Sequence, residues 1–269
     1  MLPERVDSTM RTLCRLLQDR MRDNLEAVYV YGSTALGAYI EVSSDIDFVA
    51  LIKRPPLPTE IQAIAEVHEQ MEREIPGTDI MGAYICRNDL GKAYRDIPVY
   101  ATYFSQKLHT DGTGSDINPV TLWMLRKNSI CVWGGKKPLN YEPALEELLA
   151  YVRDNMDTYW AGWIGRLENA LETDVPDDSA KDHLDESIAW CALGMLRQLY
   201  TLREHEITSK IGAGEYGLQV MPAQWHRLIR EAIALKRGET VLSNLSPKAR
   251  LQELINLLRH IHDESITRK

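Results

Sequence analysis

With 269 residues and a formal net charge of −8, the chain is long enough for two ordinary domains, and its average field disfavours a nucleic-acid ligand. A cationic small molecule suits that field better. No apolar stretch approaches the roughly 20 residues of a membrane helix, and the opening MLPERVDSTMRTLCRLLQDR is charged and amphipathic rather than leader-like, so a cytoplasmic protein without membrane contact is expected. Cys14, Cys86, Cys131 and Cys191 form no CxxC pair, so neither a disulfide framework nor a zinc site is implied.

Leu13, Leu16, Leu17 and Met21 recur at helical spacing, predicting an amphipathic helix from Asp7 to about Asn24, capped by Asp7 or Ser8. Glu26 to Tyr31 reads as a first strand, Thr34 to Tyr39 as a short helix or turn, and Asp45 to Ile52 as a second strand ended by KRPPLP. A helix over Thr59 to Glu74 and a third strand over Asp79 to Cys86 follow, and this order makes the first half an α/β sheet with packed helices. Arg95 to Asn118 is loop-like, with Tyr103 and Phe104 placed to cover a substrate, and VTLWMLRKNSICVWGG runs from a helix into an extended piece. Beyond a boundary near Asn140, helices are expected at Leu145 to Glu172, His183 to Glu204, Ser209 to Gln219, Pro222 to Arg237 and Ser246 to Glu264, forming a bundle with Trp160, Trp163 and Trp190 in its core.

The chemistry concentrates in YGSTALGAYIEVSSDIDF. A strand that turns through Gly32 and Ser33 into a helix points backbone N–H groups at one spot, a nest suited to a triphosphate. Asp45 and Asp47, at i and i+2 of the next strand, project from one face about 6 to 7 Å apart and together can hold a Mg²⁺ that bridges phosphate oxygens. Ile46 and Phe48 point the other way, into the core. A nucleoside triphosphate held in this way presents its α-phosphate for in-line attack by a hydroxyl.

This stretch resembles the signature of the DNA polymerase β-like nucleotidyltransferases, a Gly-Ser followed by Asp-x-Asp. IMGAYI, LRKNSICVWGGKKPL and MLRQLYTLREHEITSK resemble successive segments of the bacterial streptomycin/spectinomycin adenylyltransferases, and the likeness spans nearly the whole chain. The resemblance implies an α+β fold: a nucleotidyltransferase α/β domain with a mixed sheet at 1–140, then a helical domain at 141–269. It implies transfer of AMP from Mg-ATP to an aminoglycoside hydroxyl with release of pyrophosphate. Residue by residue it puts Ser33, with Gly32, on the phosphates, Asp45 and Asp47 on Mg²⁺, and Arg197 and Lys210 on the nucleotide. Lys210 has a further warrant, since it starts a helix where a cation can reach a phosphate.

Family members carry a Glu on the third strand as the base for the attacking hydroxyl, whereas this sequence has Met81 there. Asp79, two residues earlier and so on the same strand face, is the substitute base. An acidic approach to the Arg197 helix, with Asp177, Asp178, Asp182, Asp185 and Glu186, suits a polycation; Asp182, Asp185 and Glu186 share a face at helical spacing. Asp182, His183 and Glu186 are the substrate-binding candidates, His183 and Ser187 standing where the family has drug contacts. A monomer is expected. The alternatives are a nucleotide-binding homologue that no longer catalyses, favoured by Met81, and a nucleotidyltransferase acting on protein or RNA.

Overall fold

The computed structural model describes residues 2–21, 23–135, 139–172 and 179–266, without the side chains of 179–182. The chain divides into two compact units, Met1–Ala144 and Leu145–Lys269. No helix among the described residues is long and apolar enough to cross a membrane.

The first unit is built on a mixed six-stranded sheet of order β5-β4-β3-β2-β1-β6. Its strands are β1 (Leu25–Val30), β2 (Ile46–Ile52), β3 (Ile80–Cys86), β4 (Val99–Phe104), β5 (Lys107–His109) and β6 (Ile130–Trp133), and its helices are α1 (Glu4–Met21), α2 (Gly32–Ala35), α3 (Pro58–Glu74) and α4 (Pro119–Lys127). β2 and β3 run parallel, joined through α3, and the other pairings are antiparallel. Alternation divides the sheet: Val28, Val30, Ile46, Phe48 and Ala50 pack with Leu13 and Leu17 of α1 and Ile64 and Val67 of α3, which leaves the other face to Asp47 and its neighbours. Each such aliphatic side chain, once buried, contributes roughly 1.5 to 3 kcal/mol. Gly82 is dictated by this packing, because a Cβ there would lie 2.2 Å from the Phe48 ring.

Two expectations change. The first helix begins at Glu4, so Asp7 lies inside the first turn with its N–H bonded to Pro3 O at 2.9 Å. The expected loop over Arg95 to Asn118 contains the hairpin β4–β5. Tyr103 is therefore core, 5% exposed and stacked on His68 at 3.8 Å, rather than a cover for substrate.

The second unit is helical: α5 (Leu145–Asn155), α6 (Ala161–Glu172), α7 (Ser179–Ser187), α8 (Leu193–Glu204), α9 (Lys210–Val220), α10 (His226–Lys236) and α11 (Pro247–Ile266). π-helical turns at Met156–Trp160 and Ile188–Ala192 join α5 to α6 and α7 to α8. Trp160 fills the core against Gly194, where a Cβ would stand 2.2 Å from the indole. A buried ionic group crosses this core: Arg250 meets Glu231 and Asp185, and Glu231 also meets Arg227 at 2.6 Å.

Candidate active site

β1 ends at Val30, and the chain turns at Gly32, whose φ of +62° costs an ordinary residue strain that glycine escapes. Conformation is only half of its role. A Cβ on Gly32 would fall 1.9 Å from Asp47 Oδ2, so the Asp47 carboxylate occupies the place a side chain would take. The two halves of the sequence signature are thereby brought into contact, and Tyr31 N–H donating to Asp47 O at 3.0 Å continues the β1–β2 ladder up to the turn. The N–H groups of Gly32, Ser33 and Thr34 precede Ala35, the first residue to bond back into α2. Ser33 Oγ is buried without a hydrogen-bond partner in the structure. A buried hydroxyl in that condition is costly unless a ligand satisfies it.

Register fixes the neighbours of the carboxylates. Asp47 pairs with Met81 across the parallel β2–β3 ladder, and Ile46 N–H donates to Asp79 O at 2.9 Å, so Asp45 and Asp79 flank the point where both strands begin. The Asp79 carboxyl is pushed up from the ordinary range, first by burial and then by the negative charge of Asp45. A carboxylate raised in this way is a stronger proton acceptor than a solvated one.

Sequence reading missed a fourth carboxylate, Asp116, near these three. Tyr31 is 3% exposed, and its phenol is held neutral by burial and by the charges of Asp47, Asp116 and Asp45. Asp116 lies just before α4, where Asn118 caps the helix by accepting from Val120 N–H at 2.9 Å and Thr121 N–H at 3.1 Å. The signal was the Asp-x-Asn-Pro start of that helix, inside a segment read as loop.

Among the described residues no group of three or more His, Cys, Asp and Glu is arranged to hold a metal ion. The pair Asp45 and Asp47 offers hard oxygen donors beside an unpartnered hydroxyl, a set that fits Mg²⁺, which takes one or two carboxylates and completes its shell with phosphate and water. A separate cavity of about 560 Å³ lies between α1 and the edge strand β6, lined by Met10, Arg11, Cys14 and Trp133, and contains none of these carboxylates.

The remaining expected residues belong to the helical unit. Lys210 is the first residue of α9, after the Ser209 cap, and its Nζ stands 4.0 Å over the Trp190 ring. Trp190 is 43% exposed, not core. Arg197 is half-buried on α8. His183 and Glu186 face each other at 3.9 Å on the exposed side of α7, whereas Asp185 is turned inward onto Arg250, so Asp185 and Glu186 do not share a face. Asp177 and Asp178 lie outside the described residues, as does the side chain of Asp182.

Residues 165–260 match the family model described as aminoglycoside adenylyltransferase, C-terminal domain. That places the helical unit in the aminoglycoside adenylyltransferase family. The adenylyltransferase-type bundle thus follows a mixed-sheet domain, the order the sequence resemblance implied. The crystal structure of spectinomycin adenyltransferase AAD(9) from Enterococcus faecialis with ATP and spectinomycin is similar, with a TM-score of 0.64 over 94% of this chain and 98% of that chain at 14% identity, which shows a shared fold. No curated protein sequence matches the chain.

Proposed function

We propose that the protein is a nucleotidyltransferase that moves AMP from ATP to a hydroxyl of a cationic, aminoglycoside-type acceptor and releases pyrophosphate. The observation that carries this reading is the seating of the Asp47 carboxylate against the Gly32 backbone, which brings the turn proposed for phosphate up to the carboxylate proposed for Mg²⁺. The likeness to an enzyme crystallised with ATP and spectinomycin, the family of the helical unit and the charge of −8 support the choice of nucleotide and acceptor.

In this scheme Ser33 and the turn N–H groups bind phosphate oxygens. Asp45 and Asp47 hold Mg²⁺, which when bound neutralises phosphate charge and polarises the α-phosphate. Asp79 accepts the proton of the acceptor hydroxyl as its oxygen bonds to the α-phosphorus and the bond to the bridging oxygen breaks, so that pyrophosphate leaves. Arg197 and Lys210 are proposed for the nucleotide, and Asp182, His183 and Glu186 for the acceptor. Met81, paired with Asp47, favours a second reading, a homologue that binds nucleotide without turnover.

The test is pyrophosphate release from Mg-ATP across a panel of aminoglycosides that includes spectinomycin and streptomycin, beside Asp47→Asn. Release that needs both a drug and Asp47 supports the transferase. Silence with ATP still bound supports the second reading, and labelled AMP appearing on protein or RNA would replace the acceptor class.

A further inference from the structure

We propose that Trp190 is a positioning residue for Lys210, an uncharged backstop that holds the ammonium in place for an anionic phosphate. The inference rests on the proposed function, in which Lys210 is assigned to the nucleotide, and every residue it uses lies in the helical unit.

A lysine needs such a backstop to act as a fixed charge. Its ammonium rides on a flexible four-carbon stem, and freezing that stem at each binding event draws on the affinity for the ligand. Ser209 fixes only the backbone: its Oγ accepts from Gly212 N–H at 2.9 Å and starts α9 at Lys210. The side chain is placed by the indole of Trp190, over whose ring Nζ stands at 4.0 Å, well inside the roughly 6 Å reach of a cation–π contact.

Trp190 is itself supported. Ile188, Cys191 and Ala192 are fully buried, whereas Trp190, in the π-helical turn they share, is exposed. Its ring lies 6.4 Å from that of Trp160, which is buried against Gly194, so the exposed indole stands on the core of the bundle. A rigid ring backed by the core can hold a flexible cation; a second flexible side chain could not.

The chemistry of the partner gives the pair its meaning. A carboxylate in place of the indole would hold Lys210 and also offset the charge that a phosphate requires. The indole face attracts the ammonium through the ring quadrupole and carries no net charge, so the positive charge is kept, and N–H groups directed away from the ring can donate to phosphate oxygens. Loss of the backstop should therefore register in the grip on nucleotide rather than in acceptor affinity.

The experiment replaces Trp190 of the full-length protein, by site-specific incorporation, with mono-, di- and trifluorinated tryptophans, which draw charge off the ring face stepwise while keeping its shape. Trp190→Phe, Trp190→Ala, Lys210→Met and the double variant of the last two accompany them. Mg-ATP affinity is read by isothermal titration, the ATP and acceptor KM by pyrophosphate release, and folding by thermal melting. Affinity for Mg-ATP should fall with each added fluorine, reaching about two- to fivefold at three, with the melting temperature and the acceptor KM unchanged. Trp190→Ala should lose about fivefold and Trp190→Phe less, and Trp190→Ala should add nothing once Lys210→Met is present. A flat fluorine series, losses that multiply in the double variant, Lys210→Met binding Mg-ATP as wild type does, or a change confined to acceptor KM would overturn the assignment while leaving the proposed transferase standing. A wild-type protein that fails to bind Mg-ATP would overturn both. One that binds without turnover still decides the assignment through the binding series.

Discussion

Gly32→Ala probes the contact on which the site depends. The added methyl would begin 1.9 Å from Asp47 Oδ2 and 2.8 Å from Asp47 Cγ, more than an ångström inside any ordinary contact with the oxygen. Asp47 must swing away or the turn must retreat, and either movement separates the carboxylate from the turn N–H groups proposed for phosphate by about that ångström. A displacement of this size at a reacting centre costs on the order of a hundredfold in rate. The stability cost is smaller: alanine at φ +62° carries about 1 to 3 kcal/mol of strain, which for a chain of this length lowers the melting temperature by about 2 to 12 °C. The variant should therefore fold, melt somewhat earlier, and show about a hundredfold less Mg-ATP-dependent pyrophosphate release, read by a coupled phosphate assay beside a thermal melt. Activity within about threefold of wild type would refute the idea that the turn and Asp47 act as one device.

Asp79→Asn should lower turnover about 10²- to 10⁴-fold while leaving Mg-ATP binding in place, as isothermal titration would show. The Asp79 carboxyl is raised in the folded protein, so its charged form burdens the native state as pH rises through that raised value, and Asp79→Asn should be the more stable protein at neutral pH by urea denaturation. Met81→Glu puts a carboxylate directly across from Asp47 and should raise turnover at least about tenfold in the same assay; no gain would detach position 81 from the chemistry. Arg250→Met takes Arg250 from both the Glu231 carboxylate, 3% exposed and still paired with Arg227, and Asp185, and should cost about 3 kcal/mol in chemical unfolding. His68 is pushed down to about 3 by burial, so the unfolded chain binds its proton first and stability falls as pH drops from about 6.5 towards 3; His68→Phe should flatten that slope in denaturation curves taken across the range.

The strands and motif of the first unit were legible because apolar runs of the right length are bounded by Gly-Ser, by the prolines after Lys53 and by Pro76-Gly77. The β4–β5 hairpin was not. Its turn is made by Ser105 and Gln106, both left-handed at φ 50° and 58°, and neither is the Gly or Asn by which such turns are read. Trp190 was placed in the core with the other tryptophans of the bundle helices, but it sits in the π-helical turn Ile188–Ala192, where the helix departs from its regular period, and is 43% exposed. Asp116 was missed for another reason: the Asp-x-Asn-Pro start of α4 fell inside a segment read as loop, and its nearness to Tyr31, 85 residues earlier, depends on tertiary structure.

The pairing of Asp47 with Met81 sharpens what the missing glutamate means. In a parallel ladder residues that pair share a face, so the side chain beside the proposed metal ligand is a thioether that neither accepts a proton nor carries charge. The only raised carboxyl on the neighbouring strand, among the described residues, is one pleat repeat earlier, beside Asp45. If the hydroxyl proton leaves through Asp79, the acceptor is presented about 6 to 7 Å nearer the start of β3 than a base at position 81 would demand. The acceptor specificity should then depend on the residues around Thr78 and Asp79, and substitutions there should change which hydroxylated cation supports pyrophosphate release.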